Sequence, residues 1–264
     1  MDKNVLTIAG LDPSGCAGIT ADLKTFHAFG VHGLAVVTAI TAQNTLGVDG
    51  VFAVKAEVIQ AQFESIVSDI KIHAVKIGLL PDSDTLRLVA DLCKKLTNIV
   101  VDPVLSSTTG YRFADEALME AYTRFLFPIA DAITPNLDEA TVLSGSGSMK
   151  EAAAILHKMG PKNVVITNGD LSATDLLYDG NEYREFSAQK IPTENNRGTG
   201  CTFSSVIAVH LAKGLDLSTA VLVAKEYIAQ GLLHSYKIGK GKGLLNHRRL
   251  MPANSDAGGD AGGH

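Results

Sequence analysis

The sequence predicts an α/β fold: one domain with a central, mostly parallel sheet between helices. Short runs rich in Val and Ile alternate with longer segments of helical period, the order expected of β-α units around a buried sheet. No stretch rich in Pro, Gly or Ser interrupts that order, and no internal repeat is present. The 264 residues suffice for one large α/β domain with a substantial core.

The elements follow in order. VLTIA from Val5 reads as the opening strand and leads into a glycine-rich turn, GLDPSGCAGITAD. AVVTAI from Ala35 and AVKIG from Ala74 read as further strands. Between Asp82 and Leu96 a helix is expected, because Leu86, Val89, Ala90 and Cys93 recur at spacings of three and four and would face the sheet. NIVVD from Asn98, DAITP from Asp131 and NVVIT from Asn163 complete the strand set. TDLLYDG followed by NEYREFS reads as a hairpin turning at Asp179-Gly180, or through a longer loop. Two apolar helices follow, from Cys201 and from about Leu217. The domain is expected over residues 1–251, and the tail 252–264, poor in large apolar groups, is expected to be disordered.

Composition excludes several classes of function. Apolar residues make up 46% and charged residues 19%, an ordinary globular balance. Apolar stretches such as LAVVTAI fall far short of the roughly 20 residues that span a bilayer, so no membrane partner is expected. The acidic start MDKNVLTIAG lacks the form of a signal peptide. With Cys16, Cys93 and Cys201 dispersed and without CxxC spacing, it predicts a reducing, cytoplasmic location and no structural zinc. The net charge of −5 disfavours a nucleic-acid partner.

Two turns have the composition of an anion site, in which free backbone N–H groups and a helix N-terminus converge. One is GLDPSGCAGITAD; the other is GTGCT, from Gly198. Neither has the dinucleotide pattern G-x-G-x-x-G or the G-K-[ST] of a Walker A loop. GTGCT read as a tight turn entering a buried helix needs no ligand. A thiol at that position would also have its thiolate stabilised, so the Cys201 pKa is expected to fall. The N–H groups of Gly198, Thr199, Gly200 and Cys201 would cradle a transferring phosphoryl group.

GTGCT, together with TIAGLDPSGCAGITADLKTF, AQNT, KIGLL, VDPV, ITPNLDEA and GKGKGLLNH, resembles the phosphomethylpyrimidine kinases of thiamin biosynthesis, members of the ribokinase superfamily. The motifs occur in the family's order up to about residue 251. The resemblance implies a ribokinase-like three-layer α-β-α sandwich. It implies an enzyme that uses ATP and Mg²⁺ to phosphorylate 4-amino-5-hydroxymethyl-2-methylpyrimidine, and then its monophosphate to the diphosphate. A homodimer is implied as well.

Residue by residue, the resemblance makes Cys201 the catalytic base, taking the proton of the substrate CH2OH while the turn neutralises phosphoryl charge. Gln43, at a strand end, would hydrogen-bond the aminopyrimidine; on its own, without the resemblance, it reads rather as an exposed strand-end polar residue. Gly10 and Asp22 would line the same pocket, and Leu79 stands where the family more often has Met. Asn136 falls beside the ATP phosphates. Glu139 and Asp102 would hold Mg²⁺ or its waters, although Asn136 and Glu139 also form a near capping box and Asp102 is compatible with a plain turn.

Four departures from the family pattern stand out. Cys16 replaces a glycine, Arg197 a common His and Glu194 a frequent Lys, and TNGDL from Thr167 replaces a frequent Lys-Gly-Gly-His. Arg197 is expected to supply a cation near the phosphates. The polar segments SSTTGYRF from Ser106 and IPTENNRG from Ile191 are expected to close over them. Two rival readings stay open: a pyridoxal or pyridoxine kinase on the same scaffold, which Gln43 argues against, and a pyrimidine-binding sensor without turnover, which Cys201 and Glu139 argue against.

Overall fold

The computed structural model describes residues 3–168 and 174–247; the tail 252–264 and most of the Thr167-to-Leu171 departure lie outside them. In chain order the elements begin β1 (Asn4–Leu11), α1 (Gly18–Ala28), β2 (His32–Gln43), β3 (Val48–Ala53), α2 (Ala56–Val67), β4 (Ala74–Ile77), α3 (Ser83–Cys93) and β5 (Ile99–Val101). Then come α4 (Glu116–Ala121), a π turn (Tyr122–Leu126), a 3-10 turn (Phe127–Ile129), β6 (Ala132–Ile133), α5 (Leu137–Ser144) and α6 (Met149–His157). β7 (Val164–Ile166), β8 (Thr174–Tyr178), β9 (Tyr183–Ser187), α7 (Thr199–Ala212) and α8 (Leu217–Leu233) complete the order.

The strands form one nine-stranded sheet in the order β3-β2-β1-β4-β5-β6-β7-β8-β9. From β2 to β7 all neighbours are parallel. β3 returns antiparallel at one edge, and β8 and β9 do so at the other. Both faces are covered, which explains why the strands read as continuous apolar runs. On one face Leu6, Ile8, Val36, Ile77, Val101 and Ile133 meet α2 to α6 through residues such as Phe63, Leu86, Leu118 and Leu156. On the other, Val5, Ala74, Val100 and Val165 meet Phe26 of α1, Val206 and Ile207 of α7, and Val221 of α8. The result is a three-layer α-β-α sandwich.

All six expected strands, the helix carrying Cys93 and the hairpin are present. Cys93 is a core thiol, and burial pushes it up to about 12. Three boundaries differ. β6 keeps only two residues of DAITP, since Asp131 turns its carboxylate back onto the Ile99 N–H at 2.8 Å and Pro135 offers no N–H to the ladder. The hairpin turn is the longer form: Asp179 Oδ1 accepts from the N–H groups of Asn181 and Glu182. α7 begins two residues before Cys201, with Gly198 as its N-cap. β3 was not expected; none of its residues is buried, so VDGVFA carries no readable period. No described helix is long and apolar enough to cross a membrane.

Candidate active site

The carboxyl ends of the parallel strands bring the two glycine turns together. Asp12 organises the first: Oδ1 accepts from the Ser14 N–H and hydroxyl, and Oδ2 from the Ala17 N–H at 3.0 Å. Gly18 has φ +56, and a β-carbon there would overlap the Gly10 carbonyl. Gly198 has φ +82, and a β-carbon there would overlap the Cys16 carbonyl. The second turn thus rests directly on the first, and only glycine permits either approach. Cys16 itself is fully buried, its Sγ 3.6 Å from the Ser14 carbonyl oxygen.

Cys201 sits half-buried in the first turn of α7. Its thiol departs from expectation. Burial pushes the pKa up to about 12, outweighing the downward pull of the Lys76 ammonium and of the Gly18 N–H that hydrogen-bonds the sulfur; Asp102 and Asp22 raise it further. A helix N-terminus stabilises a thiolate by little when two carboxylates share the same low-dielectric space. At neutral pH this thiol carries its proton.

Lys76 is the residue that sequence reasoning missed. It projects from the middle of β4 and is fully buried. Its Nζ donates to Asp22 Oδ2 at 3.0 Å and lies 3.9 Å from Asp102 Oδ2. Burial alone would lower its pKa, but Asp22, Cys201 and Asp102 together hold it above the ordinary lysine value. Gly78 leaves room for the ammonium: a β-carbon there would stand 2.7 Å from Nζ. The one signal was a charged residue inside an apolar strand run, AVKIG.

Asp22, expected to line the substrate pocket, is fully buried, and its oxygens are engaged by the Thr7 hydroxyl at 2.6 Å, the Ser205 hydroxyl at 2.8 Å and Lys76. Its carboxylate supports the Lys76 ammonium. Thr7, Ser204 and Ser205 carry no sequence signal of their own; only the fold makes them partners.

Asp102 follows β5, and its Oδ2 accepts from the Ser204 hydroxyl at 3.2 Å. Glu139 completes a full capping box with Asn136 at the start of α5 and also accepts from the Leu105 N–H at 3.3 Å. Burial first, and then the charge of Asp102, pushes Glu139 up to about 8. Asp102 is also raised, mainly by burial and partly by Asp22, against the opposing pull of Lys76. Two buried carboxylates, of which Asp102 raises the proton affinity of Glu139, are a donor set that a hard divalent cation fits, since Mg²⁺ binds through one or two carboxylates plus phosphate oxygens. Asn136 uses its side-chain oxygen on the Glu139 N–H at 2.8 Å.

On the opposite side, Gln43 donates its amide N–H to Asp12 Oδ2 at 3.1 Å, which fixes the amide and leaves Oε1 as the group it presents. Gly10 and Leu79 meet there: a β-carbon on Gly10 would stand 2.9 Å from Leu79 Cδ2. Arg197 is buried and reaches over to the Thr45 carbonyl, with Nη1 at 3.4 Å, two residues beyond Gln43. Ser106 and Arg112 pair across a compact turn in SSTTGYRF.

A model of the family described as phosphomethylpyrimidine kinase matches residues 12–246. The chain is 42% identical over 252 residues to the probable thiamine biosynthetic bifunctional enzyme, chloroplastic, of Oryza sativa subsp. japonica; the match covers 91% of this chain and 46% of that protein. This chain thus spans about half the length of that bifunctional relative. It is 41% identical over 262 residues to the hydroxymethylpyrimidine/phosphomethylpyrimidine kinase of Haemophilus influenzae, covering 93% of this chain and 96% of that one. Among solved structures, an ADP complex of Bacillus subtilis pyridoxal kinase superposes with a TM-score of 0.86 at 36% identity, covering 94% and 98% of the two chains.

Proposed function

Because the chain belongs to the phosphomethylpyrimidine kinase family, we propose that it transfers the terminal phosphoryl group of ATP to hydroxymethylpyrimidine and then to the resulting monophosphate. The observation that carries this reading is the interlock of the two glycine turns, which sets Cys201 against the Gly18 N–H and the Lys76 ammonium at the strand ends. Gln43, its N–H held by Asp12, offers Oε1 to the ring amino group. The N–H groups of Gly198 and Gly200 face the transferring group, the Thr199 N–H being turned to the Asn196 carbonyl at 3.4 Å, with Asn136 at the neighbouring helix start. Gly10 and Leu79 form the apolar wall. Asp102 and Glu139 would hold Mg²⁺, which would supply neutralisation of phosphate charge.

Cys201 takes the CH2OH proton through its thiolate, the minor form at neutral pH, so the thiol must first release its own proton to solvent. In a loose phosphoryl-transfer transition state the acceptor oxygen is little bonded, so the demand on the base comes late. Lys76 and the Gly18 N–H are the groups that stabilise the thiolate form of Cys201 against the cost of burial. The second transfer starts from an ionised phosphate oxygen and needs no base. Cys201→Ala is expected to slow the first transfer by about 10²- to 10⁴-fold and the second far less, measured as ADP release with each acceptor. Equal loss in both assays overturns the base role, and binding of the pyrimidine by the native chain without ADP release identifies a sensor. The likeness to a pyridoxal kinase supports a second reading, and including pyridoxal in the same assay decides it. The kinase reading carries with it a cytoplasmic homodimer, which light scattering on the purified chain checks.

A further inference from the structure

Arg197 is the largest fully buried side chain described, only 2% exposed. Among the described residues no carboxylate lies within 4 Å of its guanidinium, and its Nε has no hydrogen-bond partner. The bond from Nη1 to the Thr45 carbonyl, at 3.4 Å, is long. The neighbouring Asn196 Oδ1 is likewise buried without a partner. A buried guanidinium with so few acceptors is costly, because it has given up water without a compensating anion.

Its backbone does not let it withdraw. The Arg197 N–H donates to the Gly243 carbonyl at 3.2 Å, and its carbonyl accepts from the Leu245 N–H at 3.3 Å. The side chain is thereby aimed at Thr45, two residues beyond Gln43, while the residue after it, Gly198, opens the turn that carries Cys201. The Arg197 side chain thus ties Thr45, close in sequence to Gln43, to the position that precedes the Gly198 turn.

We propose that Arg197 binds the phosphate of the monophosphorylated acceptor and so determines the specificity of the second transfer. This rests on the kinase reading above. A planar fork of N–H donors matches phosphate oxygens, and a phosphomonoester carries between one and two negative charges at neutral pH. The same chemistry is found in the terminal phosphates of ATP, so the test must separate the two sources.

Steady-state kinetics of the full chain, comparing native protein with Arg197→Gln and Arg197→Lys, provide that test. The expected result is a rise of about 100-fold in KM for the monophosphate in Arg197→Gln, the loss typical of a charge-assisted contact. Arg197→Lys should recover part of it, and the KM values for hydroxymethylpyrimidine and ATP should move far less. A higher KM for ATP with both acceptors assigns Arg197 to the nucleotide and overturns the proposal. So does an equal loss with both acceptors accompanied by a lower melting temperature, which marks a purely structural latch. Should Arg197→Gln fail to fold, Arg197→Lys carries the comparison alone, with the selective rise for the monophosphate expected to be smaller and its absence overturning the proposal. Should the native chain release no ADP with either acceptor, the kinase reading fails, and calorimetric binding of the monophosphate still decides Arg197: weaker binding by the variants supports it, and unchanged binding overturns it.

Discussion

His247 shows how burial sets a charge state in this protein. Its Nε2 pairs with the Thr202 hydroxyl at 2.9 Å, and burial, aided by the nearby Lys24, lowers its pKa from 6.5 to about 4. Between those two values the unfolded chain binds the proton and the folded chain does not, so stability rises with pH across that window and is lost as pH falls through it. His247→Gln, which keeps a partner for Thr202, should lose about 2 kcal/mol less between pH 7 and pH 4 than the native chain, measured by urea unfolding. The same competition explains the misreading of Cys201. From sequence the helix N-terminus was visible and the buried acids were not, so the direction of its pKa came out opposite. Lys76 was hidden for a related reason: Thr7, Asp22, Asp102 and Ser205 are separated along the chain and meet only in the folded state.

Within single elements, the start of α7 separates two glycines that look alike in GTGCT. Gly198 has positive φ and abuts the Cys16 carbonyl, whereas a β-carbon on Gly200 meets nothing within 4 Å. Gly198→Ala should destabilise by about 2–5 kcal/mol, combining left-handed strain with overpacking. Gly200→Ala should fold as well as the native chain or better, by up to about 1 kcal/mol, and should still lose phosphoryl transfer if the phosphate approaches that N–H closely. Thermal melts paired with ADP release separate the two effects. Strands were legible where both faces are buried, because β5 and β7 are then uniformly apolar and β1 and β4 nearly so, with Asn4, Thr7 and Lys76 the exceptions. β3 escaped notice because an exposed edge imposes no pattern, and β6 was overextended because Pro135 ends the pairing. At α5 the capping box read from Asn136 and Glu139 is present in full, since helix starts are written in neighbouring residues.

The whole molecule is tied at its centre by Lys76, which joins β4 to α1 through Asp22, while Asp22 reaches β1 through Thr7 and α7 through Ser205. Lys76→Met leaves Asp22 buried without its cation and should cost about 3–5 kcal/mol. The double variant Lys76→Met/Asp22→Asn should recover part of that loss, because no unpaired charge is left behind. A double-mutant cycle by denaturant unfolding checks the coupling, and strictly additive losses would remove the pairing argument. The bond between Ser205 and Asp22 spans 183 positions. During synthesis, then, a nascent polypeptide holds its buried acids and its lysine long before the hydroxyl that completes their shell has left the ribosome. Enzymatic turnover should therefore report only on finished molecules, and a product cut short ahead of α7 should be inert and a ready target for proteolysis.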